Sequence, residues 1–194
     1  MTKVYFIRHA ESDTSVRDPM TRPLTAKGHA DCRLVTRFLS DKGIDAILSS
    51  PFQRAYDTVR NFAETNGLPI QVVDDFRERK SDSQDSWRDD FVAFMKRQWS
   101  DFTYSLTDGE CLAEVQTRNI AALNRALVEH QDKNIAVGTH GTALSTIINH
   151  YDPSYGFDDF MRMVNIMPWV VVMEFDKTRC ICITKIDITG GNHV

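Results

Sequence analysis

Short apolar runs alternate with longer amphipathic stretches along most of this 194-residue chain, and few folds accept that pattern. Residues 3–7, Lys-Val-Tyr-Phe-Ile, are rich in β-formers and read as a first, buried strand. Thr25 then stands as an N-cap before a helix in which Leu34, Val35, Phe38 and Leu39 recur at helical spacing, and Gly43 stops it. Residues 44–48 read as a second strand. Ser50-Pro51 looks like a helix start, with a capping serine and a proline at the first helical position. That helix runs towards Thr65 and ends at Asn66-Gly67. Residues 70–73 are a third strand. Residues 110–131 form a long amphipathic helix with Leu112, Val115, Leu123 and Leu127 on one stripe. Residues 135–137 are a fourth strand, followed by a helix over 142–149. Two strong strand runs, 169–175 and 180–186, are joined by Asp176-Lys177-Thr178-Arg179 as a hairpin. Cys180 and Cys182, two apart in that run, are expected on one face of the sheet.

The alternation implies an α/β fold: a three-layer α/β/α sandwich whose mostly parallel sheet is made mixed by the antiparallel hairpin. A chain of this length is expected to form one domain over 1–194. The rhythm breaks at 74–108, a highly charged stretch with a helix-like part around 87–99, which reads as a lid-like insertion. The Gly-rich tail from Thr189 is expected to fray.

Composition removes several function classes. The net charge is −4 with no basic stripe, which argues against nucleic acid as a partner. No apolar run approaches the roughly 20 residues of a membrane helix. The start of the chain has no leader-like apolar region, so a cytoplasmic location is expected. Cys32, Cys111, Cys180 and Cys182 form no CxxC pair and read as free thiols. There is no H-E-x-x-H and no P-loop, so no metal and no cofactor are expected. His29, His130, His150 and His193 are isolated and read as surface residues. Phe91, Phe94, Trp99 and Phe102 sit mostly at helical spacing and read as packing for the insertion, with one or two at a substrate mouth as a secondary role. The basic residues gather instead within 17–27 and 77–80, which suits a small anionic ligand.

In open α/β sheets, sites form beyond the C-terminal ends of the strands. Arg8, His9, Arg54, Glu78 and His140 all come just after a strand run. Each alone has a plain structural reading. An Arg-His pair is common, a Ser-Ser-Pro start can be capping only, and a Thr-His-Gly can be a turn with a core histidine.

Together these segments resemble the histidine phosphatase superfamily, the phosphoglycerate mutase-like fold. Arg8-His9-Ala10-Glu11-Ser12 is similar to its Arg-His-Gly-Glu-Ser motif, and Leu24-Thr25-Ala26-Lys27-Gly28 to its Leu-Thr-x-x-Gly helix start. Ser49-Ser50-Pro51-Phe52-Gln53-Arg54-Ala55-Tyr56-Asp57-Thr58 follows its Ser-Ser-x-x-x-Arg-Ala-x-x-Thr pattern. Asp108-Gly109-Glu110-Cys111 resembles its Gly-Glu-Ser start, and Val137-Gly138-Thr139-His140-Gly141 its closing His-Gly. The resemblance implies that His9 is a nucleophile, that Arg8 and Arg54 clamp phosphate, and that His140 and Gly141 complete the pocket. It also implies a carboxylic acid after the third strand. Glu78 is the candidate, with Asp74, Asp75 and Asp82 as rivals.

Two departures stand out. Ala10 replaces the usual glycine, a change tolerated if its φ is negative. Ser15 stands where many members have a phosphate-binding asparagine, so Thr21 or Arg22 is a candidate for the missing contact. The implied function is metal-independent hydrolysis of small phosphomonoesters through a phosphohistidine. Mutase-type phosphoryl transfer is the runner-up, and a non-enzymatic phosphate-binding regulator of the same fold is the third reading.

Overall fold

A computed structural model describes residues 1–81 and 90–190. Six strands, β1 (Thr2–Arg8), β2 (Ala46–Ser49), β3 (Ile70–Val72), β4 (Asn134–Thr139), β5 (Trp169–Asp176) and β6 (Arg179–Ile186), form one sheet in the order β3-β2-β4-β1-β5-β6. The pairs β3–β2, β2–β4 and β4–β1 are parallel, whereas β1–β5 and β5–β6 are antiparallel. The mixed sheet expected from the sequence is thus present, with its antiparallel part supplied by the C-terminal hairpin.

Strand alternation sorts the apolar side chains onto two faces. On one face Val4, Phe6, Leu48, Ile135, Val137, Val171 and Met173 pack against helices α3 (Phe91–Ser100), α4 (Leu112–Glu129), α5 (Gly141–Tyr151) and α6 (Phe157–Met163). On the other, Tyr5, Ile7, Ile47, Ala136 and Val170 meet α1 (Ala26–Leu39) and α2 (Gln53–Asn66). That is the three-layer α/β/α arrangement. Phe94 and Met95 of α3 share the first cluster with Phe6 and Phe76, so α3 packs onto the sheet through its apolar face. No helix among the described residues is long and apolar enough to cross a membrane.

Local signals explain most boundaries. The Thr25 hydroxyl accepts the Gly28 N–H at 3.0 Å, capping α1 as its sequence position implies. Gly67 adopts φ 63° and ends α2 with its N–H on the Ala63 and Glu64 carbonyls. Four expectations are corrected. Pro51 is not in the first helical turn: α2 begins at Gln53, Phe52 is its N-cap with no side-chain cap bond, and the Ser50 hydroxyl accepts Phe52 N–H at 3.2 Å while also meeting His140. Helix α6 was not foreseen, because seven residues give too short a periodic signal. Cys180 and Cys182 do not share a face. A bulge at Ile181 sets Cys180 opposite Phe175 and Cys182 opposite Glu174, so the first meets the core and the second faces solvent. His29 and His150 are exposed as expected, but His130 is half-buried. Asp82, Trp87 and His193 lie outside the described residues.

Candidate active site

Because β1, β2, β3 and β4 run parallel, their C-terminal ends lie along one edge of the sheet. The chain is cross-linked there. His9 N–H donates to Thr139 O at 3.0 Å, Ser50 N–H to Gly138 O at 2.9 Å, and Val73 N–H to Ser49 O at 2.8 Å. The residues after four strands are thereby gathered around one point.

His9 is the first residue beyond β1, and its ring is buried. Nδ1 lies 2.7 Å from the Ala10 carbonyl, which can only accept, so Nδ1 carries the proton and Nε2 keeps a lone pair. Burial pushes the imidazolium form well below its ordinary range, and the charges of Arg54 and Arg8 push in the same direction. The ring is neutral at physiological pH. Ala10 N–H donates to Thr58 Oγ1 at 2.9 Å, and that hydroxyl donates to Arg54 O at 2.7 Å. Residues 54 and 58 share one helix face, so α2 holds the His9 loop and presents Arg54 from the same surface. Ala10 is fully buried and is not among the residues with positive φ, so a methyl group fits where glycine is usual.

Arg8, the last residue of β1, donates Nη1 to the carbonyls of Met163 at 2.7 Å and Ile166 at 3.0 Å. Its buried Nε has no hydrogen-bond partner among the described residues. Burial lowers its pKa to about 10, which still leaves it charged near neutrality. Arg54 sits in the first turn of α2, anchors Nη1 on Pro19 O at 2.7 Å, and lies 5.0 Å from the Phe52 ring centroid. His140 caps α5 and stands edge-to-face with His9, centroids 5.3 Å apart. Its Nε2 is 2.7 Å from Ser50 Oγ, and its buried Nδ1 has no hydrogen-bond partner among the described residues. Burial, then Arg54, hold it well below the ordinary imidazole range, so the unliganded ring is neutral.

Glu78 reaches the same helix start from the loop after β3. Oε2 accepts Thr142 N–H at 3.0 Å, and Oε1 accepts Ala143 N–H at 3.1 Å and Arg79 N–H at 2.7 Å. A carboxylate at a helix N-terminus satisfies donors that have no intrahelical partner and meets the positive end of the dipole. Two of its rivals, Asp74 and Asp75, are engaged elsewhere. Asp74 is exposed on Arg77, and Asp75 binds Arg125 at 2.7 Å.

A cleft of about 1150 Å³ opens over these groups. Arg8, His9, Arg54, Glu78, Gly141 and Arg22 line it, with Met20, Phe91, Phe94, Phe160 and Met167 on its apolar wall. Three sequence candidates do not line it, His140 among them, fully buried beside His9. Ser15 is exposed and folded back onto Asp13 at 2.7 Å, and Thr21 is held by Asp18 at 2.7 Å. Arg22 reaches the cleft while tied to Val16 O at 2.7 Å. Sequence reasoning missed Ser50 as the partner of His140, since a serine before a proline reads as a cap. It also missed the ion pair of Glu110 and Arg118, eight residues apart. Among the described residues no three His, Cys, Asp or Glu side chains gather as metal ligands would.

A neutral histidine with a lone pair on one nitrogen, and the charges of two arginines acting on its ring, is an arrangement for phosphoryl chemistry. A family model described as the histidine phosphatase superfamily (branch 1) matches residues 4–185. The chain belongs to that superfamily. It is similar to a Bacillus subtilis (strain 168) protein named Uncharacterized phosphatase PhoE, 29% identical over 152 residues, 76% of each chain. A Serratia proteamaculans (strain 568) protein named Probable phosphoglycerate mutase GpmB is 28% identical over 169 residues, covering 77% of this chain and 74% of that one. The solved structure of Bacillus stearothermophilus YhfR superposes with a TM-score of 0.79 at 23% identity, over 93% of this chain and 95% of that one, and shares the fold. An enzyme of the histidine phosphatase superfamily, with a phosphoglycerate mutase-like fold, is what the motifs implied.

Proposed function

We propose that this histidine phosphatase-superfamily enzyme hydrolyses small phosphomonoesters through a phosphohistidine on His9. The observation that carries the reading is the fixed tautomer: Nδ1–H on the Ala10 carbonyl, a lone pair on Nε2, and the charges of Arg54 and Arg8 acting on the ring. In the first step the Nε2 lone pair attacks phosphorus and the ester oxygen leaves, taking a proton from Glu78. In the second, water attacks phosphorus, gives its proton to Glu78 and displaces His9, which regains its lone pair. One carboxyl serves both steps because each step restores what the other consumes. Oε1 already accepts two N–H groups and Oε2 only one, so Oε2 is the oxygen with room for that proton. Guanidinium forks on Arg8 and Arg54 match the phosphate oxygens and hold charge where phosphoryl transfer concentrates it. His140, buried on Ser50 and edge-to-face with His9, supports the His9 ring from the start of α5.

Four free thiols fit a reducing compartment such as the cytoplasm. The mutase reading is kept alive by the likeness to the protein named as a phosphoglycerate mutase. The two separate cleanly. A panel of phosphomonoesters is expected to release free phosphate and alcohol in equal amounts, without a bisphosphate primer and after prolonged chelation. Interconversion of 3-phosphoglycerate much faster than its hydrolysis would replace this reading with the mutase one, and rescue by a divalent cation would remove metal independence.

A further inference from the structure

The segment that carries Glu78 has almost no regular structure of its own. After β3 the chain makes a single 3-10 turn, Asp74–Phe76, and then runs irregularly through 81. Backbone groups in such a segment need partners from elsewhere. Arg118, in the second turn of α4, supplies them. Its Nη1 donates to Asp75 O and to Arg77 O, both at 2.8 Å, and Nη2 donates to Glu78 O at 3.3 Å. Nε and Nη2 hold Glu110 at 2.7 and 3.0 Å, one bond to each carboxylate oxygen. Those five bonds use all five donors of a guanidinium.

Glu110 completes the clamp from the other side. Its Oε2 accepts Lys80 N–H at 2.9 Å, and its own N–H donates to Lys80 O at 2.8 Å. A Cβ at Gly109 would lie 2.1 Å from Ser81 O, so only glycine lets the two backbones run this close. Burial alone would push the Glu110 carboxyl up, but the Arg118 fork, the Lys80 amide and Arg77 together hold it below its ordinary value. The pair is therefore charged at neutral pH. It grips the backbone at 75, 77, 78 and 80, on both sides of Glu78, whose carboxylate then reaches the α5 amides.

We propose that Arg118 and Glu110 are positioning residues for the proton-transfer group, fixing the backbone from which Glu78 reaches the leaving oxygen. The inference rests on the reading of Glu78 as general acid and base. A lysine at 118 would keep the charge but offer three donors from one nitrogen, which cannot span two carboxylate oxygens and three carbonyls.

The test compares Arg118→Lys, Glu110→Gln and Glu78→Gln on an alkyl phosphate and on nitrophenyl phosphate. An alkoxide needs a proton to leave, whereas nitrophenolate does not. For nitrophenyl phosphate the phosphorylation step is read as the pre-steady-state burst. Thermal melting checks folding, and vanadate affinity checks that the phosphate pocket is intact. Arg118→Lys is expected to lose about 10- to 100-fold in kcat on the alkyl phosphate, part of the roughly 10²–10⁴ that general acid catalysis is worth. The nitrophenyl burst rate, KM and vanadate affinity are expected to stay within about threefold. Glu110→Gln is expected to follow the same pattern and serves as the test if Arg118→Lys does not fold. The double variant Glu78→Gln/Arg118→Lys should be no slower than Glu78→Gln alone, because the two act on one step. Equal losses on both substrates in the clamp variants, with Glu78→Gln still selective, would overturn the positioning role and leave the acid assignment intact. A Glu78→Gln variant without leaving-group selectivity would overturn the acid assignment itself.

Discussion

Burial and the charges of Arg54 and Arg8 decide the protonation state of His9 before any substrate arrives. Taking an imidazolium out of water is costly, and Arg54 and Arg8 repel it further. An ordinary imidazole is half-protonated at about pH 6.5. A depressed value means that the His9 ring stays neutral on the acid side of that point and loses its lone pair only well below it. His140 is held the same way by burial and Arg54. In a proton NMR titration of the unliganded protein, the ring signals of both are expected to remain at the neutral position through pH ~6.5. A midpoint at or above that pH for His9 would contradict the electrostatic account. The identities of these residues were legible in the sequence because each follows a strand. The charge of His140 was not, since it depends on 0% exposure and on Arg54 arriving from another helix. Ser15 misled for a related reason: motif position named it, but the Asp13 carboxylate two residues away claims its hydroxyl.

Helix α4 shows what periodicity reveals and what it omits. Leu112, Val115, Leu123 and Leu127 were read as one stripe, and all four are buried. Leu123 is fully buried against the sheet face that carries Phe6 and Val137. Leu123→Ala is expected to cost about 2–5 kcal/mol, through lost transfer energy and the cavity left behind. Urea unfolding followed by circular dichroism checks this, and a loss under ~1 kcal/mol would mean that α4 is not packed as described. The same helix also carries Arg118, which belongs to no apolar pattern and whose partners lie 40 or more residues earlier in the chain at Asp75, Arg77 and Glu78. Long-range polar contacts of this kind leave no local signal. The β6 bulge is similar, because one extra residue at 181 moves Cys180 to the core side without altering the composition of the strand.

At the scale of the whole molecule, topology places the chemistry. The order β3-β2-β4-β1 keeps four parallel strands together, so one edge collects His9 from β1, the turn into α2 from β2, the Glu78 loop from β3 and His140 from β4. This much could be anticipated from strand–helix alternation alone. Helix α6 could not, although Met163 at its end and Ile166 beyond it supply the carbonyls that hold Arg8. The central claim is that this edge makes His9 Nε2 a nucleophile towards phosphorus. Rapid quench with a labelled phosphomonoester measures that directly. The account predicts an acid-labile, base-stable adduct that forms within a turnover and disappears in His9→Ala. An adduct that persists in His9→Ala, or substrate turnover in the native chain with no adduct on His9, would contradict it.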